Sequence, residues 1–229
     1  MSAPTPYDEA YYRDMQASAR RAARIVAPLV ARLVEPRSVL DVGCGLGTWL
    51  AAFVDLGVED VYGIDGHDVT VGGLEISADR FEARDLKEPF RLSRTFDLAL
   101  CLAVAEHLPV DAGAHLVESL TRSAPVLLFS AAIPGQGGTH HVNEQWPDYW
   151  AEMFVARGFV PVDCIRRRIW SNEAVEWWYA QNLLVFCEHD ELRRRPALWR
   201  EYDFAGVDQL SLVHPRKYSW LLEWAREQQ

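Results

Sequence analysis

The feature that most constrains this chain is a short apolar run broken by one acid and followed by alternating glycines: Ser38-Val39-Leu40-Asp41-Val42-Gly43-Cys44-Gly45-Leu46-Gly47. Ser38 to Val42 reads as a buried strand. The glycines let the backbone turn tightly and approach a ligand closely. Helical periodicity resumes from Leu46 to Leu56, with Gly57 as the C-terminal cap. Val58 to Ile64 is a second strand, ending at Asp65. Strand, glycine loop, helix and strand make a βαβ unit, which requires parallel strands and a right-handed crossover.

The alternation continues. Gly72 and Gly73 mark a turn, Arg80 to Leu86 reads as a third strand, and Thr95 to Leu102 as a buried one. Asp111 to Ser123 reads as a helix capped by Asp111, and Pro125 to Ala132 as another buried strand. This is the signature of a doubly wound α/β sheet. Ile133 to Gln145 is a polar, Gly-rich loop, and Trp146 to Arg157 a helix with Pro147 in its first turn. Phe159 to Trp170 and Gln181 to Glu188 read as two further strands, joined by about ten residues. Ahead of the sheet, residues 8 to 34 read as a helix that Pro28 kinks or splits and Pro36 ends. A last helix is expected from Lys217 to Glu227.

The expected organisation is a helical lid over residues 1–36, a ligand-binding domain over 37–189 and a helical extension over 190–229. The chain of 229 residues, 49% hydrophobic, can bury one sizeable core. A formal net charge of -10 argues against binding nucleic-acid phosphates. The arginine runs 166–168 and 193–195 read as solvated strand ends and helix faces. No stretch approaches the roughly 20 apolar residues of a membrane helix, and no secretory leader is evident, so a cytoplasmic location is expected. Cys44, Cys101, Cys164 and Cys187 form no CxxC pair and read as reduced, buried residues. Lysine occurs only at Lys87 and Lys217, which suggests a GC-rich genome.

Two details narrow the ligand. The glycine spacing is GxGxG, not the GxGxxG of dinucleotide binders, and Asp41 stands two residues before the first glycine. A carboxylate there would oppose a pyrophosphate. It suits a nucleoside with a cationic tail, whose ribose hydroxyls Asp65 is placed to hold.

The segment Val39 to Gly47 resembles motif I of the class I, Rossmann-like S-adenosylmethionine-dependent methyltransferases. Gly63-Ile64-Asp65-Gly66 is similar to their acidic loop, Arg84-Asp85-Leu86 to their adenine segment, and Phe96 to Leu108 to their fourth strand and the helix after it. The resemblance spans about residues 37 to 132. It implies a seven-stranded, mostly parallel sheet with an antiparallel last strand, and an N-terminal helix that lids the cofactor. By position it implies Gly43, Gly45 and Gly47 under the methionine portion of S-adenosylmethionine, with Asp41 near its amino group. Asp65 and Gly66 fall at the ribose, Asp85 and Leu86 at adenine, and Ala103 beside the cofactor.

Glu106-His107 falls in the family's acceptor region. Relatives that methylate quinone precursors carry two acids and a histidine there and bind a divalent ion. Ala103 stands where the first acid would be, and no metal is expected. The loop after the fifth strand carries His140, His141, Asn143 and Glu144, with Trp146 after them. Histidine suits proton transfer near neutrality, so His140, His141 and His107 are the candidate catalytic groups. Asn143, Glu144 and Trp146, with Tyr12 and Arg13 of the first helix, are the candidate acceptor contacts.

The late segments, among them His-His-x-Asn-Glu-Gln-Trp-Pro, are similar to bacterial methyltransferases of glycan or secondary-metabolite assembly. The expected activity is O- or N-methylation of a small molecule by a monomer or homodimer. Rivals are another S-adenosylmethionine reaction, such as cyclisation or aminocarboxypropyl transfer, a non-catalytic binding protein, and a more remote NAD-dependent oxidoreductase.

Overall fold

The computed structural model describes residues 9–66, 73–202 and 206–227, with side chains in the first helix from Gln16 onward. Among them are β1 (Ser38–Val42), β2 (Asp60–Asp65), β3 (Phe81–Ala83), β4 (Leu98–Leu102), β5 (Val126–Ser130), β6 (Phe159–Val162) and β7 (Leu184–Glu188). They form one sheet in the order β3-β2-β1-β4-β5-β7-β6. Pairings out to β5 are parallel, and β7 runs antiparallel to both β5 and β6. This is the expected seven-stranded sheet with its last strand reversed. Strand order changes direction between β1 and β4, so a crevice opens at their carboxyl ends.

The central strands are apolar because both faces are covered. Along β4, Leu98, Leu100 and Leu102 enter one core while Ala99 and Cys101 enter the other. In β5, Val126 and Leu128 face the first and Leu127 and Phe129 the second. This period of two splits each strand between two layers. The first layer includes α1 (Glu9–Val34) and α2 (Thr48–Asp55), and the second α3 (Val110–Ser123) and α4 (Pro147–Val155).

Several expectations are corrected. Pro28 does not split α1. It forfeits one ladder bond, while Ala23, Val26, Ala27, Val30 and Val34 bury the helix in the first core. The N-cap of α3 is Pro109, and Asp111 lies in the first turn, where it accepts from the amide of Ala112. The third strand is three residues long. The sixth ends at Val162, and α5 (Arg166–Ile169) and α6 (Trp177–Asn182) precede β7. The reason is Arg166, which is 1% exposed rather than solvated. Its guanidinium pairs with Asp163 and donates to the carbonyls of Gln181 and Leu210. Arg195 likewise lies inward, on Glu191.

The C-terminal segment, read as a helical extension, holds α7 (His189–Arg194) and α8 (Pro196–Trp199), whose bounds the sequence did not mark, and α9 (Pro215–Glu227), the last helix it suggested. All four cysteines are buried and unpaired. No described helix is long and apolar enough to cross a membrane.

Candidate active site

The crevice between β1 and β4 holds a cavity of about 570 Å³. Gly43 forms part of its wall, and Asp65 and Gly66 a second side. Asp85, Leu86 and Lys87 close one end, and Ala103, Val104, His107 and Leu108 the other. Four sequence motifs far apart in the chain therefore meet in one space. Val104, Lys87 and Leu108 carry no individual signal in the sequence; their neighbours do.

The glycine loop is held in a conformation few other residues adopt. Gly43 has φ +79°, and a Cβ there would stand 2.2 Å from Cγ2 of Val104. Gly45 has φ +53° and nothing within 4 Å of a notional Cβ, so its open side is free for a ligand. Gly47 is the left-handed N-cap of α2. Behind the loop, Glu75 accepts from Thr48, Gln16 and Arg20, tying α1 to α2. No local sequence signal marks Glu75.

The two acids differ. Asp65 spends one oxygen on the amide of Gly45 at 2.5 Å and the other on the amide of Gly66 at 2.6 Å. Asp41 lies beneath the loop, 2% exposed, and its Oδ2 has no hydrogen-bond partner. Burial, and then the charge of Asp65, raise its pKa to about 7. A buried carboxylate with an orphaned oxygen is a place where a positive ligand is worth most. Asp85 accepts from the amide of Lys87 through Oδ1, and Leu86 is buried beside it. Burial pushes the Cys44 thiol far up, so it is no nucleophile.

At the other end Ala103 has φ 55°, strained for a residue with a Cβ, and its amide donates to Ser130. Glu106 is close by, 2% exposed. Its Oε1 accepts from the amide of Ala132, while Oε2 has no partner. Burial raises its pKa to about 7. Burial, and then His141, lower that of His107. The two rings meet edge to face with centroids 4.9 Å apart. Nδ1 of His141 lies 2.8 Å from Oε1 of Glu144, whose carboxylate also takes the amides of Gly135 and Gly137.

The remaining candidates divide. His140 has a left-handed backbone, φ 55°, and the His107 imidazole hydrogen-bonds to the His140 backbone. Asn143 is 2% exposed and spent on the Ala105 carbonyl and the Gln145 side chain, so it braces the loop and does not face an acceptor. Its amide and that of Val142 hang from the Glu106 carbonyl. Trp146 is exposed at the N-cap of α4. Tyr12 and Arg13 lie in α1, but their side chains fall outside the described residues, as does Gly72 of the expected turn.

Two further residues hold this loop. Lys217, 1% exposed, donates to the Gln136 carbonyl at 2.8 Å and lies 3.9 Å over the Trp220 ring. The Gln136 side-chain oxygen accepts from Gln181 and Asn182.

The fold is that of a class I, Rossmann-like S-adenosylmethionine-dependent methyltransferase. A family model described as "Methyltransferase domain" matches residues 11–223, and the chain belongs to that family. No curated protein matches it.

Solved structures share the fold. A sugar N-methyltransferase from Streptoalloteichus superposes with TM-score 0.60 at 17% identity, covering 82% of this chain and 98% of its own. Magnesium protoporphyrin IX methyltransferase from Synechocystis, with S-adenosylhomocysteine bound, gives 0.55 at 19%, covering 80% and 88%. An S-adenosylmethionine-bound amino pentose methyltransferase from Micromonospora echinaspora gives 0.54 at 18%, covering 82% and 100%.

Proposed function

We propose that the chain methylates a hydroxyl or amino group of a small molecule, a sugar or a secondary metabolite, with S-adenosylmethionine as donor. The observation that carries this reading is the position of His107 and His141. Their rings meet 4.9 Å apart, and His107 is itself part of the wall of the cavity formed by the glycine loop.

The residues present fit the cofactor. A carboxylate has about four acceptor sites, so Asp65 retains capacity for two ribose hydroxyls after taking two amides. Asp85 keeps Oδ2 for the adenine amino group, and Leu86 packs on the ring. Gly43, Gly45 and Gly47 give the methionine portion room, Gly66 borders the ribose, and Ala103 lies alongside. The unpaired Asp41 oxygen offers negative charge to the ammonium. S-adenosylmethionine supplies an electrophilic methyl group on a sulfonium.

What the protein adds is orientation and a proton acceptor. Glu144 is acceptor-only, so His141 donates Nδ1–H to it and keeps a lone pair on Nε2. That nitrogen takes the proton from a hydroxyl acceptor. His107 and His140 shape its surroundings. Trp146 offers an aromatic face at this end, and Tyr12 and Arg13 precede the turns of α1 that reach Glu75. Two of the similar structures are sugar and amino pentose methyltransferases, which lends weight to a compact polar acceptor. Buried free cysteines fit a reducing compartment such as the cytoplasm; we take the enzyme to be bacterial, a monomer or homodimer.

The test is incubation with S-adenosylmethionine and a panel of hydroxylated and amino sugars, with products weighed by mass spectrometry. Release of S-adenosylhomocysteine with a product heavier by one methylene unit supports the reading. Release of methylthioadenosine would replace it with aminocarboxypropyl transfer.

A further inference from the structure

We infer that Glu106, His107 and His141 form a binding site for a divalent transition-metal cation at the acceptor end of the cavity. The inference deepens the acceptor-side reading above and rests on it. One ligand atom from each residue lies within 4.8 Å of the others. The sequence hides the set, because His141 arrives from the loop after β5 while Glu106 and His107 come after β4.

The hydrogen bonds around the three residues prepare them as ligands. The histidine bound to a metal usually gives its other ring N–H to a carboxylate or a backbone carbonyl, which fixes the tautomer. Both partners are in place. Nδ1 of His141 is on Glu144 at 2.8 Å, leaving Nε2 with a lone pair. The His107 ring hydrogen-bonds to the backbone of His140.

Glu106 supplies the third group. Its Oε1 is tied to the Ala132 amide, and its buried Oε2 has no partner. A buried carboxylate oxygen left unpaired is costly, and a cation satisfies it. Bonds of about 2.0–2.2 Å place ligand atoms roughly 3–4 Å apart. The cluster must therefore tighten by roughly 1 Å, which the exposed His107 and the loop-borne His141 supply while Glu106 stays fixed.

Two imidazoles and one carboxylate suit Zn²⁺ or Co²⁺ better than Mg²⁺ or Ca²⁺, which take oxygen ligands. Three protein ligands leave positions open toward the cavity. A hydroxyl acceptor bound there loses its proton to solvent more readily, as metal-bound water does. In that state the cation takes over the task of His141, whose lone pair it occupies.

The experiment uses untagged full-length protein stripped with a chelator and titrated separately with Zn²⁺, Co²⁺ and Mg²⁺. The expected result is one Zn²⁺ or Co²⁺ per chain, visible ligand-field absorption with Co²⁺, and Mg²⁺ at least tenfold weaker. His107→Ala, His141→Ala and Glu106→Gln should each weaken Zn²⁺ binding at least tenfold. Glu106→Gln keeps the acceptor for Ala132, so loss in that variant is not loss of fold. S-adenosylmethionine titrated into the same samples reports the fold independently. Absence of a one-equivalent site, or Zn²⁺ affinity unchanged in the three variants, overturns the inference. If the cofactor still binds in that case, the methyltransferase reading stands without the metal.

Discussion

The carboxylate of Asp65, at the end of β2, holds the amide of Gly45 at 2.5 Å across the turn after β1. The same side chain takes the amide of Gly66 at 2.6 Å, so it shapes the glycine loop before any ligand arrives. Charge-assisted bonds of this kind are worth about 1.5–3 kcal/mol each. Asp65→Ala is therefore expected to lower stability by about 2 kcal/mol or more and to weaken S-adenosylmethionine at least tenfold. Thermal unfolding and calorimetry measure the two effects separately. A variant that unfolds normally and binds normally would show that Asp65 neither shapes the loop nor holds the ligand.

Asp41 sets a pH dependence. Its folded pKa, about 7, lies above the ordinary aspartate value of 3.8, so the folded state holds a proton that the unfolded chain has lost. Stability without ligand should therefore fall as pH rises from about 4 to about 7, by up to a few kcal/mol. A cationic ligand favours the ionised form, so affinity for S-adenosylmethionine should rise over pH 6 to 8, roughly the range around that pKa. S-adenosylhomocysteine lacks the sulfonium and should show the weaker trend. Asp41→Asn should flatten the affinity profile and make the stability profile shallower, the remaining slope belonging to Glu106, whose pKa is also raised to about 7. Parallel profiles for wild type and Asp41→Asn would show that another group titrates.

Gly43 tests the close packing under the cavity. A Cβ at φ +79° and 2.2 Å from Val104 combines backbone strain with overpacking. Gly43→Ala should cost about 2 kcal/mol or more. Adding Val104→Ala should recover the steric part and leave the backbone part. Denaturant unfolding of the single and double variants separates them, and full recovery would mean that the conformation of Gly43 carries no strain.

Lys217 tests the brace on the acceptor loop. Lys217→Met keeps the stem but loses the bond to the Gln136 carbonyl and the charge over Trp220. The expected cost is about 1–3 kcal/mol, with faster amide exchange over residues 133–146 and cofactor affinity within twofold of wild type. Unchanged exchange in that loop would show that the bond does not restrain it.

The cofactor half of this site is legible in the sequence because its chemistry is local. Strand, glycines and acid are contiguous from Ser38 to Gly47, and Asp65 closes the next strand. The same locality gave the helices after Pro109 and Trp146. Legibility fails where a residue's partner is distant. Arg166 belongs to an arginine run that looks solvated, yet carbonyls at Gln181 and Leu210 draw it inside and turn the chain into a helix. His107 and His141 look like separate loop residues until the β4 and β5 ends bring their rings together. Asn143 is polar in sequence but buried in the fold, where the Ala105 carbonyl claims it. Glu75 and Lys217 act only through contacts with other elements.

The central claim is that the glycine loop and its two acids receive S-adenosylmethionine. Calorimetric titration of the pure protein with S-adenosylmethionine and S-adenosylhomocysteine tests it most directly, with Gly45→Arg as the comparison. One site per chain is expected for both ligands, lost when the arginine fills the open side of Gly45. No binding by the wild-type protein, or equal binding by Gly45→Arg, would contradict it.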